Sequence, residues 1–249
     1  MMRKRVSYVS SAVALGLVLL LLFVMKFQDG RRSPESSLDD GTEVEAVVED
    51  EVETEIEAFR IEELSDELFE SMQGKSFREP SPVGREDLRH LSVLYVDFNG
   101  ETGHGDIVCN RAIAEDLLEI FTRLYEASYP IESIRLIDDF DGDDDASMKA
   151  DNTSCFNVRP VSGDRSRFSD HAYGLAIDIN PLYNPYVRTR DGHTVVKPEG
   201  SEAYADRSRD FPHKIDREDL CYKLFREHGF TWGGGWASMK DYQHFTRKK

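Results

Sequence analysis

β-Branched and aromatic residues cluster in Leu91-Ser92-Val93-Leu94-Tyr95-Val96-Asp97-Phe98 and predict a strand. Asn99-Gly100 follows, a strong hairpin signal, and a second strand should return through Ile107 and Val108. Ile113, Leu117, Phe121 and Leu124 then recur at helical steps. Asn110 stands where a helix cap is expected, and Pro130 should end the helix. Shorter apolar runs predict strands at 134–137, 156–159 and 175–179. A second helix should begin at Asp216, carry Leu220, Leu224 and Phe225, and stop at Gly229. Phe230-Thr231-Trp232 should re-enter the sheet. This order of elements predicts an α+β domain over 77–249, a small, mainly antiparallel sheet with flanking helices.

Three segments precede that domain. In 59–76, Ile61, Leu64, Leu68 and Met72 have helical spacing. Residues 33–58 hold eleven acids and no Lys or Arg, so this stretch reads as an extended, disordered linker. In 1–32, Arg3, Lys4 and Arg5 lead into an apolar run from Val6 to Val24, long enough to cross a bilayer. The basic flank favours a cytoplasmic N-terminus. Few small residues follow Val18, so an uncleaved anchor is expected and a cleaved signal peptide is the alternative. Either way the rest of the chain is exported.

The formal net charge of −17 argues against nucleic acid as a partner, because no basic surface is available to displace counterions from phosphates. Cys109, Cys155 and Cys221 fit no zinc-thiolate spacing. They read as buried thiols, with a Cys109–Cys155 bridge as the alternative. The run Asp138, Asp139, Asp141, Asp143, Asp144 and Asp145 lacks the glycine and distal glutamate of an EF-hand, so it reads as a solvated or structural loop before a calcium site.

Chemistry concentrates in two segments. Ser169-Asp170-His171-Ala172-Tyr173-Gly174-Leu175-Ala176-Ile177-Asp178 supplies a histidine and an aspartate. Asp178 is flanked by Ile177 and Ile179, and a carboxylate in apolar surroundings needs a strong partner. A metal ion is one such partner; an arginine is the other. Asp241-Tyr242-Gln243-His244-Phe245 adds a second histidine and a second carboxylate. Two histidines and one aspartate make the three protein ligands of an open catalytic zinc site, and Asp241 could serve as its base. Trp232-Gly233-Gly234-Gly235-Trp236 lies just upstream: its glycines permit close backbone approach, and its tryptophans could wall a substrate site.

The pattern Ser-x-His-x-x-Gly-x-Ala-x-Asp with a downstream Asp-x-x-His resembles the VanY-type D-alanyl-D-alanine carboxypeptidases and the related L-alanyl-D-glutamate endopeptidases. The resemblance spans about residues 72–246 and includes Ile137-Asp138-Asp139, Ala146-Ser147-Met148 and Asn180-Pro181-Leu182-Tyr183-Asn184-Pro185. It implies the Hedgehog/DD-peptidase-like zinc peptidase fold, with one zinc per chain held by His171, Asp178 and His244. It implies Asp241 as catalytic base and Arg159 as the group that steadies the oxyanion or the substrate carboxylate. Ser169, with Trp232 and Trp236, would face substrate. The expected partner is a peptidoglycan stem peptide, reached from the outer side of a bacterial cell membrane. The carboxypeptidases often carry Glu as base, so Asp241 points toward the endopeptidases; Arg159 and Ser169 could hold a terminal carboxylate, and the expected activity is that of a D-alanyl-D-alanine carboxypeptidase, with the endopeptidase as the alternative. A non-catalytic module that binds cell-wall peptides is the remaining alternative.

Overall fold

The hairpin expected at Asn99-Gly100 is the longest sheet element of the structure, a computed structural model that describes residues 58–161 and 164–248. Strands Leu88–Val96 and Thr102–Asn110 pair antiparallel from Leu88↔Asn110 to Val96↔Thr102. The turn is longer than two residues because Asp97 organises it. Its carboxylate accepts from the Asn99 and Glu101 amides, each at 2.8 Å, and Gly100 takes the left-handed backbone that closes the loop. Helix Ala114–Glu126 buries Leu117, Ile120, Phe121 and Leu124 against strand Leu88–Val96. Asn110 is not its cap, as the sequence suggested. It ends the strand, and its side-chain oxygen accepts from the Ala112 amide at 3.0 Å.

Other expectations shift for identifiable reasons. The lead-in at 59–76 is a short strand, Arg60–Glu62, followed by helix Asp66–Met72. The break falls at Ser65, whose hydroxyl accepts from the Leu68 amide and caps the helix. Leu64 and Met72 are buried with Phe77, Leu88, Val108 and Phe156. The strand at 134–137 shrinks to Ser133–Ile134, parallel to Asn152–Thr153. Residues 156–159 are extended but join no ladder, because their amides reach three separate carbonyls: Phe156 to Val108, Asn157 to His171 and Val158 to Ser76. The second helix runs Leu220–Glu227, later than expected, because the Asp219 carboxylate caps it from Cys221 and Tyr222.

Two small sheets carry the C-terminal half. One orders Thr231–Trp232, His244–Thr246 and Ala176–Asp178, all antiparallel. The other sets hairpin Tyr186–Arg190/His193–Lys197 beside Lys240–Asp241. With four α-helices among the described residues and mostly antiparallel pairing, the fold is α+β.

The run Val6–Val24 and residues 33–57 of the linker lie outside the described residues. Among the described residues, no helix is long and apolar enough to cross a membrane. The three cysteines are buried and free, so the Cys109–Cys155 bridge is not formed. Each carboxylate of the acidic run has a protein partner. Asp138 accepts from the Ser76 amide and Asp143 caps helix Asp144–Lys149. Asp139 pairs with Arg135, Asp141 with Lys75, Asp144 with Arg159 and Asp145 with Lys197. The run is a set of structural struts.

Candidate metal centre

Asp178 and His244 lie 66 residues apart in sequence. The antiparallel register places them directly opposite, His244↔Asp178, so both side chains leave the same face. His171 joins from a 3₁₀ turn, Asp170–Tyr173, capped by Ser169, whose hydroxyl accepts from the His171 amide at 3.4 Å. The turn closes at Gly174, with φ of +64°. A Cβ there would lie 2.6 Å from the Asn110 amide nitrogen, so glycine is required for steric reasons too. Asn110 in turn binds this segment through its amide and side chain.

The donor atoms converge. His171 Nε2 lies 3.3 Å from Asp178 Oδ2 and 3.2 Å from His244 Nδ1, and His244 Nδ1 lies 3.0 Å from Asp178 Oδ1. All three residues are at least nine-tenths buried. His171 Nδ1 sits 2.6 Å from the Cys155 carbonyl oxygen, which can only accept. That nitrogen therefore carries the proton, and the lone pair of neutral His171 is on Nε2, facing inward. Burial opposes charge on Asp178, but the two histidines more than offset it and hold the carboxyl well below its usual range. Burial also opposes charge on His244. The bond and charge of Asp178 prevail, and its proton affinity rises. This is the only group of three convergent His, Cys or carboxylate donors among the described residues. Two imidazole nitrogens and one carboxylate oxygen, inward-facing and buried, fit zinc and leave a fourth position open.

Asp241 stands beside these donors. Gly233 makes that possible: a Cβ at Gly233 would meet the Asp241 carbonyl at 2.6 Å and Asp241 Cβ at 2.8 Å. The residue keeps some exposure, yet Oδ1 is fully covered and has no hydrogen-bond partner. Burial pushes its carboxyl up to about 6. His244, His171 and Arg159 pull down against that shift, and Asp178 adds to it. These influences put Asp241 within the field of all three donors and of Arg159.

The remaining expected residues divide. The Arg159 guanidinium pairs with Asp144 at 3.0 Å, and its Nε is buried without a partner. Trp236 comes to the site, its ring centroid 5.3 Å from that of His244. Trp232 packs between Tyr222 and Tyr242, and its indole N–H donates to the Tyr242 carbonyl at 2.8 Å. The Ser169 hydroxyl caps the His171 turn. The Cys155 carbonyl has no side-chain signal in the sequence, and the acidic run around Asp144 hides its pairing with Arg159.

Two buried histidines and one buried aspartate thus form a group that could hold a metal ion, with a carboxylate of raised proton affinity next to it. Residues 162–247 match a family model described as D-alanyl-D-alanine carboxypeptidase. The matched stretch contains His171, Asp178, Asp241 and His244 but begins after Arg159, and it is less than half of the chain. It supports a metallopeptidase similar to that family. No curated protein and no solved structure matches the chain.

Proposed function

We propose that this chain is a zinc-dependent peptidase that hydrolyses bacterial peptidoglycan stem peptides, removing the terminal D-alanine from a D-alanyl-D-alanine end. One observation carries this reading: His171, Asp178 and His244 converge beside a buried, partner-free Asp241 oxygen, within the stretch similar to such carboxypeptidases. A zinc ion held by these three residues would supply a Lewis acid and lower the pKa of water toward about 7.

The chain's own groups do the rest. Asp241 Oδ1 takes a proton from the attacking water and returns it to the leaving amine. Burial raises the proton affinity of this carboxyl, which favours its taking and returning a proton. Arg159 brings positive charge to the same region, for the developing oxyanion or the substrate's terminal carboxylate. The Cys155 carbonyl keeps His171 in one tautomer. Trp236 walls the His244 side of the site and limits water there. Ser169 and Trp232 act one step back from substrate, through the His171 turn and the Tyr242 backbone.

Zinc-loaded protein and a stem pentapeptide, with products weighed, test the proposal. Loss of one alanine supports it. Release of a peptide beginning at D-glutamate makes the chain an L-alanyl-D-glutamate endopeptidase, the reading that the short base Asp241 favours. Binding without cleavage makes it a peptide-recognition module. The run Val6–Val24 would anchor the enzyme with its domain outside the cytoplasm, and the linker would let it reach the wall. Protease added to intact spheroplasts should then remove the domain; a protected domain refutes this topology.

A further inference from the structure

In helix Asp144–Lys149, Asp144 and Met148 stand at positions i and i+4, so they share one face. Met148 Sδ lies 3.4 Å from Gln243 Nε2, and Gln243 stands in the chain between Asp241 and His244. Asp144 Oδ2, on the same face, lies 3.0 Å from Arg159 Nη2. The Arg159 carbonyl in turn accepts from the Ser169 amide at 3.0 Å, beside the turn that carries His171. Arg159 is therefore tied to both segments that bear the histidine donors. Its side chain is 20% exposed, so an entering molecule can reach it. Arg159 Nε is covered and has no partner, which leaves the two terminal nitrogens as the end that can meet a ligand. Asp144 takes one of them. The helix that carries Asp144 is itself fixed: Asp143 caps it from the Ala146 amide, and Asp145 and Lys149 pair with Lys197 and Glu199.

We propose that Asp144 is a positioning residue for the peptidase reaction: it holds the Arg159 guanidinium so that Nη1 meets an oxygen of the substrate. Arginine keeps its charge without help, so a carboxylate partner supplies direction to its planar fork. A guanidinium released from that partner samples many rotamers, and stabilisation of a developing charge depends on donors placed beforehand. The inference rests on the peptidase reading above. Asp144 has a competing structural use, because an acid in the first turn of a helix interacts favourably with the helix dipole. That use does not involve Arg159, so the two roles are separable.

A double-mutant cycle in the zinc-loaded full chain tests this, with Asp144→Ala, Arg159→Ala and the two combined. Asp144→Asn, which keeps the shape and loses the charge, carries the cycle if Asp144→Ala does not fold. Zinc content, melting temperature and kcat/KM on the stem pentapeptide are read together. The proposal expects unchanged zinc in every variant and kcat/KM at least about tenfold lower for Asp144→Ala, with Asp144→Asn between. In the Arg159→Ala background the same change should lower kcat/KM by less than about twofold. An equal loss in both backgrounds overturns the proposal, because Asp144 would then act through the helix. Retained kcat/KM or lost zinc overturns it as well. If wild type cleaves no stem peptide, the peptidase reading fails by itself, and the cycle is read by calorimetry on binding of the D-alanyl-D-alanine dipeptide. Weakening that requires Arg159 then sustains the positioning role. Weakening in both backgrounds, or no binding at all, refutes it.

Discussion

Asp241 and Asp151 show how burial sets the behaviour of single carboxylates. Asp241 is read as a base, not a ligand, so Asp241→Ala should lower turnover at least about 100-fold while zinc content stays at one per chain. Metal loss in that variant, measured by elemental analysis, would make it a ligand; near-normal turnover would remove it from the chemistry. Asp151 is not among the three convergent donors. One of its oxygens accepts from the Leu182 amide at 2.6 Å, and the other is buried with no partner. Burial raises its affinity from 3.8 to about 7. The folded state therefore holds this proton more tightly than the unfolded chain, and stability falls as pH rises from about 4 to about 7. Asp219, raised to about 6 by burial, adds a slope of the same sign. Asp151→Asn keeps the acceptor for Leu182 and removes the titration. Its melting temperature should exceed that of wild type at pH 8 by at least about 3 °C, with a flatter pH profile between 5 and 8. A midpoint that drops at pH 8 would mean that the charged form is stabilised within the fold.

At the scale of elements, the site depends on backbones that approach more closely than a Cβ allows. Gly233→Ala would press on the Asp241 backbone and side chain together, displacing the base and the strand that leads to His244. We expect a loss of about 1–3 kcal/mol in stability and at least about tenfold in activity. Gly235 has nothing within 4 Å of a added Cβ, so Gly235→Ala should change stability by less than about 0.5 kcal/mol and leave activity near wild type. Denaturant melts and peptide assays of the pair check both, and equal effects would refute the steric argument. Local signals in the sequence revealed elements like these unevenly. Asn99-Gly100 marked the hairpin because turn chemistry is local, and the Ile113–Leu124 stripe marked a helix because its period is local. Phe156–Arg159 looked like a strand by composition, but ladder pairing depends on partners far along the chain, and its partners were three different segments. The donor residues were legible as types and spacings. Their meeting was not, because the His244↔Asp178 register is a property of the assembled sheet. The Cys155 carbonyl and the Asp144–Arg159 pair were hidden for the same reason.

For the molecule as a whole, the donors tie together parts of the chain that are far apart in sequence and paired over short stretches. Strand Ala176–Asp178 and strand His244–Thr246 share only three register pairs, and His171 rides on a four-residue turn. A metal held by all three residues would cross-link these segments and favour the folded state by mass action. Free zinc at about 100 times its dissociation constant would add about 2.7 kcal/mol. For a domain of this size that corresponds to a rise of roughly 5–10 °C in melting temperature. Chelation should lower the midpoint by that amount, and added zinc should restore it. His244→Ala should lose the zinc-dependent shift, since it removes one of the three donors. A shift of equal size in His244→Ala would place the stabilising zinc elsewhere on the protein and overturn the assignment of the centre.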